Sequence, residues 1–389
     1  MARPNSGEKV ILKPHFLVLD TSHLAGLVRD LTSIDSQKNQ RARRYLSVLR
    51  ASGTLLTFSL HHIEEMFGHE NDDMIRRRLE FVAGLEMIAW VRPARERGGV
   101  GSVVDLLCHE LSAVAEHRTS SLNTIRESVR STLFQVGRGT ELVGPILREF
   151  GEIAEHVRSG DQRVKAIAAV AHSSSMVPPH MTVGDFLRQD VPTSLAIEGR
   201  LRQRFDAFQQ EVVTRSDQRL ENPEKVAFDF MAEVSNALGR TVSGTTSTAQ
   251  AFQRICQESD IDPASIDEGT LLRDFCRIAG MRHKLSVARN VLHETGKSIA
   301  DLPKDVCLPS QLVQEALFTH RQDVPERVGS EIADRHFAAF APYCDSLFVD
   351  KRTFENSRRA AHSDPAFREL TRSMQKASTY ELTLSAVVG

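Results

Sequence analysis

The sequence predicts an α/β fold in which one parallel sheet is assembled from both ends of the chain, with a mainly α-helical domain inserted between them. Three observations carry this. Short apolar runs of strand length alternate with helical patterns before Pro93. From Ser102 to about Leu302 the texture is helical. Strand character then returns near the C-terminus, at Ser346–Asp350 and weakly at Thr379–Leu384. Neither end alone has enough strands to bury a sheet, so the two ends are expected to pair.

His15–Asp20 (HFLVLD) is an apolar run closed by a carboxylate and reads as a buried parallel strand. Thr21 and Ser22 offer hydroxyls to a helix beginning near Leu24. Asp35 is placed to cap a second helix through Arg50, and Gly53 to end it. Thr54–Phe58 (TLLTF) is a second strand, after which Ser59 caps a helix with Leu60, Ile63, Met66 and Phe67 on one face. Glu86–Val91 (EMIAWV) completes the βα series.

The segment 94–101 (ARERGGVG) reads as a hinge into the insertion; its glycines match neither G-x-G-x-x-G nor a phosphate loop. Helical periodicity follows over Ser102–His117, Ser120–Gln135, Leu142–Arg158 and Leu195–Leu220. Gly/Ser/Pro clusters at 172–184 and 239–247 separate helices, and no fixed-period repeat is present. The expected division is therefore 1–93, first part of the core; 94–308, helical insertion; 309–389, second part of the core.

Composition narrows the classes. The 389 residues carry a net charge of −2 with 26% charged residues, so any surface for nucleic acid must be local. No apolar run approaches the ~18 residues of a membrane span, and the first residues show no signal-peptide core. Five isolated cysteines without C-x-x-C spacing fit reduced thiols in a cytoplasmic protein.

Four carboxylates stand where chemistry could use them. Asp20 and Asp350 end apolar strands, the edge at which open parallel sheets bind ligands. Glu65 lies on the helix after the second strand, and Asp334 on a helix with Ile332, Phe337, Phe340 and Ala341 near one face. Taken singly, a strand-end Asp often just caps the next helix, and Glu65 reads as a solvated helix residue; the combination is what informs. Gathered like charges repel and raise a pKa, a cost that a divalent cation removes. Oxygen-only donors suit Mg²⁺ or Mn²⁺, and such ions hydrolyse phosphodiesters.

At these residues the sequence resembles the PIN-like nuclease family. The matching blocks are 16–24 (FLVLDTSHL), 57–67 (TFSLHHIEEMF) and 330–354 (SEIADRHFAAFAPYCDSLFVDKRTF), within residues 15–92 and 310–384. The resemblance implies a PIN-like core in which Asp20, Glu65, Asp334 and Asp350 bind Mg²⁺ or Mn²⁺ and cleave RNA or, in some members, DNA. Glu64 adjoins Glu65, and Asp345 precedes the last strand; both stand as alternate ligands. The insertion of more than two hundred residues departs from small members, so substrate choice is not carried over.

Lys351 and Arg352 follow Asp350 directly and are candidates, with Thr21 and Ser22, for contacting substrate; Arg358, Arg359, Arg41, Arg43, Arg44 and Arg76–Arg78 read as solvated faces. His61 and His62 lack the second histidine of an H-E-x-x-H zinc helix, and His336 reads as structural or as a minor substrate contact. The expected activity is metal-assisted phosphodiester hydrolysis by an endoribonuclease. The alternatives are a DNA or structure-specific nuclease with the same acids, and a non-catalytic helical scaffold on a degenerate core; retention of all four acids argues against the last. The insertion is expected to select substrate, to contact a regulatory protein or a second copy of the chain, or to restrain activity.

Overall fold

The computed structural model describes residues 13–69, 71–95, 98–118, 121–157, 180–188, 206, 208–214, 216, 220–230, 232, 248–295, 306–320 and 330–388. In chain order the elements are β1 (His15–Leu19), α1 (Thr21–Leu31), α2 (Ser36–Ala51), β2 (Thr54–Phe58), α3 (Leu60–Phe67), α4 (Asp72–Ala83) and β3 (Ile88–Val91). Next come α5 (Val103–His117), α6 (Leu122–Thr132), β4 (Phe134–Gly137) and α7 (Gly139–Arg148). Helices α8 (Val183–Leu187), α9 (Thr248–Glu258), α10 (Leu272–Glu294), α11 (Pro309–Thr319) and α12 (Ser330–Ala338) lie further on. Then come β5 (Ser346–Phe348), α13 (Lys351–Ser363), α14 (Pro365–Leu370) and β6 (Met374–Gln375), followed by a 3₁₀ turn (Tyr380–Leu384) and α15 (Ser385–Val388).

One six-stranded sheet has the order β4-β3-β2-β1-β5-β6, so both ends of the chain do build it. The central strand β1 pairs in parallel with β2 on one side and with β5 on the other. Alternation along the strands sorts the core. Leu17, Leu19 and Phe348 join one apolar cluster with Leu24, Leu27 and Phe67. Val18, Leu347 and Val349 join another with Val313, Phe337 and Phe367. A sheet buried on both faces follows from that period of two. Asp35 caps α2 through the Gln37 and Lys38 N–H groups, and Gly53 turns the chain into β2 at φ +70°, a left-handed conformation suited to glycine.

Three expectations are corrected. The sheet is mixed, because β4 runs antiparallel to β3. The helix expected to reach Gln135 stops at Thr132; Phe134–Gly137 instead pairs with Ile88–Val91, an edge that would otherwise be open. The weak strand at Thr379–Leu384 is a 3₁₀ turn over Tyr380–Leu384, held by Tyr380 Oη donating to Asp30 Oδ2 (3.0 Å) and by the Tyr45–Thr383 hydroxyl pair (2.8 Å). The last strand is the two-residue β6, too short to give a periodic signal.

The chain forms two compact units, 1–157 with 292–321 and 334–389, and 158–291 with 322–333. The unit that carries the sheet thus runs through Val157, further than the change of texture at Pro93 suggests, and includes α5, α6, β4 and α7. In the second unit Val183, Phe252, Cys256, Ile261 and Phe275 form a small core. The expected helix over Leu195–Leu220 and the clusters at 172–184 and 239–247 lie largely outside the described residues. Among the described residues no helix is long and apolar enough to cross a membrane.

One buried carboxyl group ties early and late segments of the first unit. Glu110, on α5, is fully buried and accepts from the Ser310 N–H (2.8 Å), from Ser310 Oγ (2.6 Å) and from the Tyr343 hydroxyl. Burial pushes its carboxyl up from an ordinary 4.5 to about 7, although all three hydrogen bonds oppose the shift. Across that window the folded state holds a proton that the unfolded chain has lost. Stability should therefore fall as pH rises from 4.5 to about 7, by about 3 kcal/mol from this group. Denaturant titrations across that range should show the decline in wild type and a flatter profile in Glu110→Gln; equal slopes would contradict the assignment.

Candidate functional site

The strand order reverses around β1: the chain steps outward through β2 and β3, then returns to place β5 on the opposite flank of β1. Ligand crevices in open sheets form at such switch points, beyond the carboxyl ends of the strands. Asp20 and Asp350 occupy that edge. The register Leu19↔Phe348 and the bond from the Asp20 N–H to the Phe348 carbonyl (3.0 Å) bring the two strand ends together.

Both aspartates cap helices, as the plainer reading of each allows. Asp20 Oδ1 accepts the Ser22 N–H (2.8 Å) at the start of α1, and Asp350 Oδ1 accepts the Thr353 N–H (2.6 Å) at the start of α13. Each cap bond engages one carboxyl oxygen.

Glu65 and Asp334 arrive from α3 and α12. Burial raises the Glu65 carboxyl above its usual range, the Thr21 hydroxyl donating to it opposes this, and Asp20 raises it further. Asp334 is pushed well above the usual carboxylate range, first by burial and then by Asp350, Asp20 and Glu65 in turn; Arg352 opposes the shift. Asp334 therefore lies within electrostatic reach of the other three predicted acids, and Glu65 within reach of Asp20. Arg352 Nη2 donates to Asp334 Oδ2 at 3.3 Å.

The two alternates differ: Glu64 adds to the repulsion on Glu65, whereas Asp345 lies elsewhere. Glu64 is half-exposed and bonds His61 Nδ1 at 2.9 Å. Asp345 accepts the Phe16 N–H (2.9 Å) and pairs with Arg130, at the opposite end of β1 from Asp20. Four residues of strand separate those ends by about 13 Å, so Asp345 is corrected from an alternate ligand to an anchor of the β1–β5 register. Among the other substrate candidates, Thr21 is committed to Glu65, while Ser22 and Lys351 are exposed.

The residue that sequence reasoning missed is His62. Its ring is 1% exposed. Nδ1 accepts the Ser59 N–H at 2.9 Å, which leaves Nε2 as the protonated nitrogen, donating to the Leu19 carbonyl at 3.1 Å. Burial pushes its pKa down to about 3, so the imidazole is neutral at ordinary pH. Its ring also meets Phe337 edge-on, with centroids 4.5 Å apart. One side chain thereby joins the end of β1, the start of α3 and α12, the elements that carry Asp20, Glu65 and Asp334. Beside it His61 stacks on His336 at 4.9 Å, and His61 Nε2 is buried without a partner, a condition frequent at ligand sites.

The donor chemistry of the crevice suits a hard divalent cation. The donor positions do not converge: among the described residues no group of three or more His, Cys, Asp or Glu side chains is arranged to hold a metal ion. The four carboxylates are directed to two helix caps, the Thr21 hydroxyl and the Arg352 guanidinium.

Two outcomes follow. Glu65→Gln keeps an acceptor for Thr21 and removes a buried charge, so in chelator at neutral pH the melting temperature should rise by a few degrees; a fall would show that the carboxylate stabilises the fold. His62→Phe keeps the ring packing but strips the Leu19 carbonyl and the Ser59 N–H of partners, at a cost of about 2 to 4 kcal/mol. Urea unfolding would measure that cost, and a change below about 0.5 kcal/mol would refute the bracing role.

The chain matches no protein-family model, no curated protein and no solved structure.

Proposed function

We propose that this chain is a Mg²⁺- or Mn²⁺-dependent nuclease that hydrolyses phosphodiester bonds, with RNA as its substrate. The observation that carries the reading is the mostly buried position of Asp334 on a helix that His62 joins to the strand end of Asp20 and to the helix of Glu65; burial and then Asp350, Asp20 and Glu65 raise its carboxyl well above the usual range. Such a gathering opposes folding, so a stability role does not account for it. The choice of a nuclease, and of RNA, rests on the resemblance of residues 15–92 and 310–384 to the PIN-like family.

On this reading Asp20 and Asp350 hold the cation at the edge of the sheet, and Glu65 and Asp334 complete its shell and orient water. Thr21 fixes the rotamer of Glu65, and Lys351 and Arg352 hold backbone phosphates. A bound divalent cation supplies activated water and stabilises the charge that grows on the leaving oxygen. An external water as nucleophile leaves a 5′-phosphate and a 3′-hydroxyl, and the RNA 2′-hydroxyl takes no part.

One rival draws on a specific observation. Each carboxylate has a protein partner (two helix N–H groups, the Thr21 hydroxyl and Arg352), as it would in a non-catalytic binding protein built on a degenerate core. Incubation with RNA and DNA of matched sequence, in Mg²⁺, in Mn²⁺ and in excess chelator, separates the readings. The nuclease should cut RNA in metal alone, leave 5′-phosphate ends, and lose cleavage in Asp20→Asn while that variant stays folded. Cleavage of DNA alone would reassign the substrate. Cyclic-phosphate ends, or cleavage that survives chelator, would remove the carboxylates from the chemistry, and an inert protein would favour the binding role.

A further inference from the structure

We propose that the outward face of α2 is a docking surface for the phosphate backbone of single-stranded RNA, held by Lys38, Arg41 and Arg44. The inference deepens the nuclease reading above, because it names a surface that would grip the substrate of that activity, and it invokes no metal ion.

α2 carries five cationic side chains and no carboxylate in its 16 residues. Its inward stripe, Ala42, Tyr45 and Leu49, is buried in the core, while Lys38, Arg41, Arg43, Arg44 and Arg50 are exposed. Two of these cations are answered within the fold. Arg50 pairs with Glu86 at 2.7 Å, and Arg43 Nε donates to Asn39 Oδ1 at 2.6 Å. Among the described residues no carboxylate pairs with Lys38, Arg41 or Arg44. Asp30 and Glu381 share with Arg41 the surroundings of the Tyr380 hydroxyl, and neither forms an ion pair with it; Asp30 accepts that hydroxyl at 3.0 Å.

Helix stability does not explain this row. Lys38 stands in the first turn of α2, where the helix dipole favours acids, and that turn has none. Lys38, Arg41 and Arg44 follow one another at i, i+3 and i+6, so each repels the next. Each step rises about 4.5 Å along the axis, which spreads the charges along a line rather than gathering them at a point. A polynucleotide repeats its own charges along a line and relieves that repulsion on contact. Gln37 and Gln40, exposed on the same side, add amide donors for phosphate oxygens. The whole chain has a net charge of −2, so the attraction belongs to this face and not to the protein at large. A bilayer fits the face less well. An interfacial helix sinks an apolar stripe into lipid, and the apolar stripe of α2 is already buried in the core.

The test is the fluorescence anisotropy of a fluorescein-labelled polyuridylate oligonucleotide bound to the full chain, in excess chelator so that nothing is cut, between about 50 and 200 mM KCl. The triple variant Lys38→Gln, Arg41→Gln, Arg44→Gln should bind about tenfold more weakly than wild type at the lowest salt. Its slope of log affinity against log salt should be shallower by about 2, the share of three phosphate contacts on a single strand. Its melting temperature should not fall, which separates a lost contact from a lost fold. A control variant, Arg358→Gln, Arg372→Gln, Lys376→Gln, removes the same charge from side chains that pair with Glu355 or Glu369, and should bind as wild type does. An unchanged slope in the α2 variant, an equal loss in the control, or binding of phosphatidylserine vesicles in place of RNA would overturn the docking surface. Incubation of wild type with RNA in Mg²⁺ decides the nuclease reading separately. RNA that is cut, with the α2 variant binding as wild type does, strikes the docking surface and leaves the nuclease. RNA held through α2 and never cut supports the surface and strikes the nuclease.

Discussion

A neutral imidazole at His62 sets the geometry on which the crevice depends. The strand end that carries Asp20, the helix start that leads to Glu65 and the helix that carries Asp334 are far apart along the chain, the first and last by more than three hundred residues. At His62 they meet through two hydrogen bonds and one ring contact. The bonding pattern requires an acceptor at Nδ1 and a donor at Nε2, which only the neutral tautomer provides. Burial enforces neutrality, so the brace does not add a charge to a region already rich in carboxylates.

The sheet supplies the other half of the constraint. Because β1 lies between β2 and β5, the chain leaves the centre in one direction and re-enters it from the other, which sets the carboxyl ends of β1 and β5 side by side at the switch point. The aspartates that close those strands serve two purposes with one side chain. Their caps start α1 and α13 with the correct backbone geometry, and the same caps hold the carboxyl groups at the edge. The structural and chemical readings of Asp20 and Asp350 are therefore compatible. Asp334 has no such second purpose: it is not a cap, it is mostly buried, and it is raised by three other acids. It is the residue for which the fold alone gives the least account.

Much of this was legible in the sequence because the signals were local and periodic. Apolar runs closed by Asp at 15–20 and 346–350, the Asp35 cap and the turn at Gly53 all rest on the backbone preferences of a few adjacent residues. The pairing of both ends into one sheet followed from counting strands. What was hidden depended on partners distant in sequence. Phe134–Gly137 becomes a strand because β3 offers it an open edge, and β6 is two residues long. His62 looked like one of two adjacent histidines without a zinc motif; its donor, the Ser59 N–H, and its acceptor, the Leu19 carbonyl, lie on different elements. The Ser59–His62 spacing of a capping box was the one available clue, although the usual partner at that position is Glu or Gln. Asp345 was misread because a carboxylate beside a strand gives no sign of which end of the sheet it will serve.

The central proposal is that Asp20, Glu65, Asp334 and Asp350 take up one divalent cation. A crystal grown with Mn²⁺ and a nucleoside monophosphate, and recorded at the manganese absorption edge, tests it most directly. The proposal predicts an anomalous peak bounded by these carboxylates at about 2.1 to 2.2 Å. Mn²⁺ bound elsewhere, with the Asp334–Arg352 pair intact and the crevice empty, would contradict it.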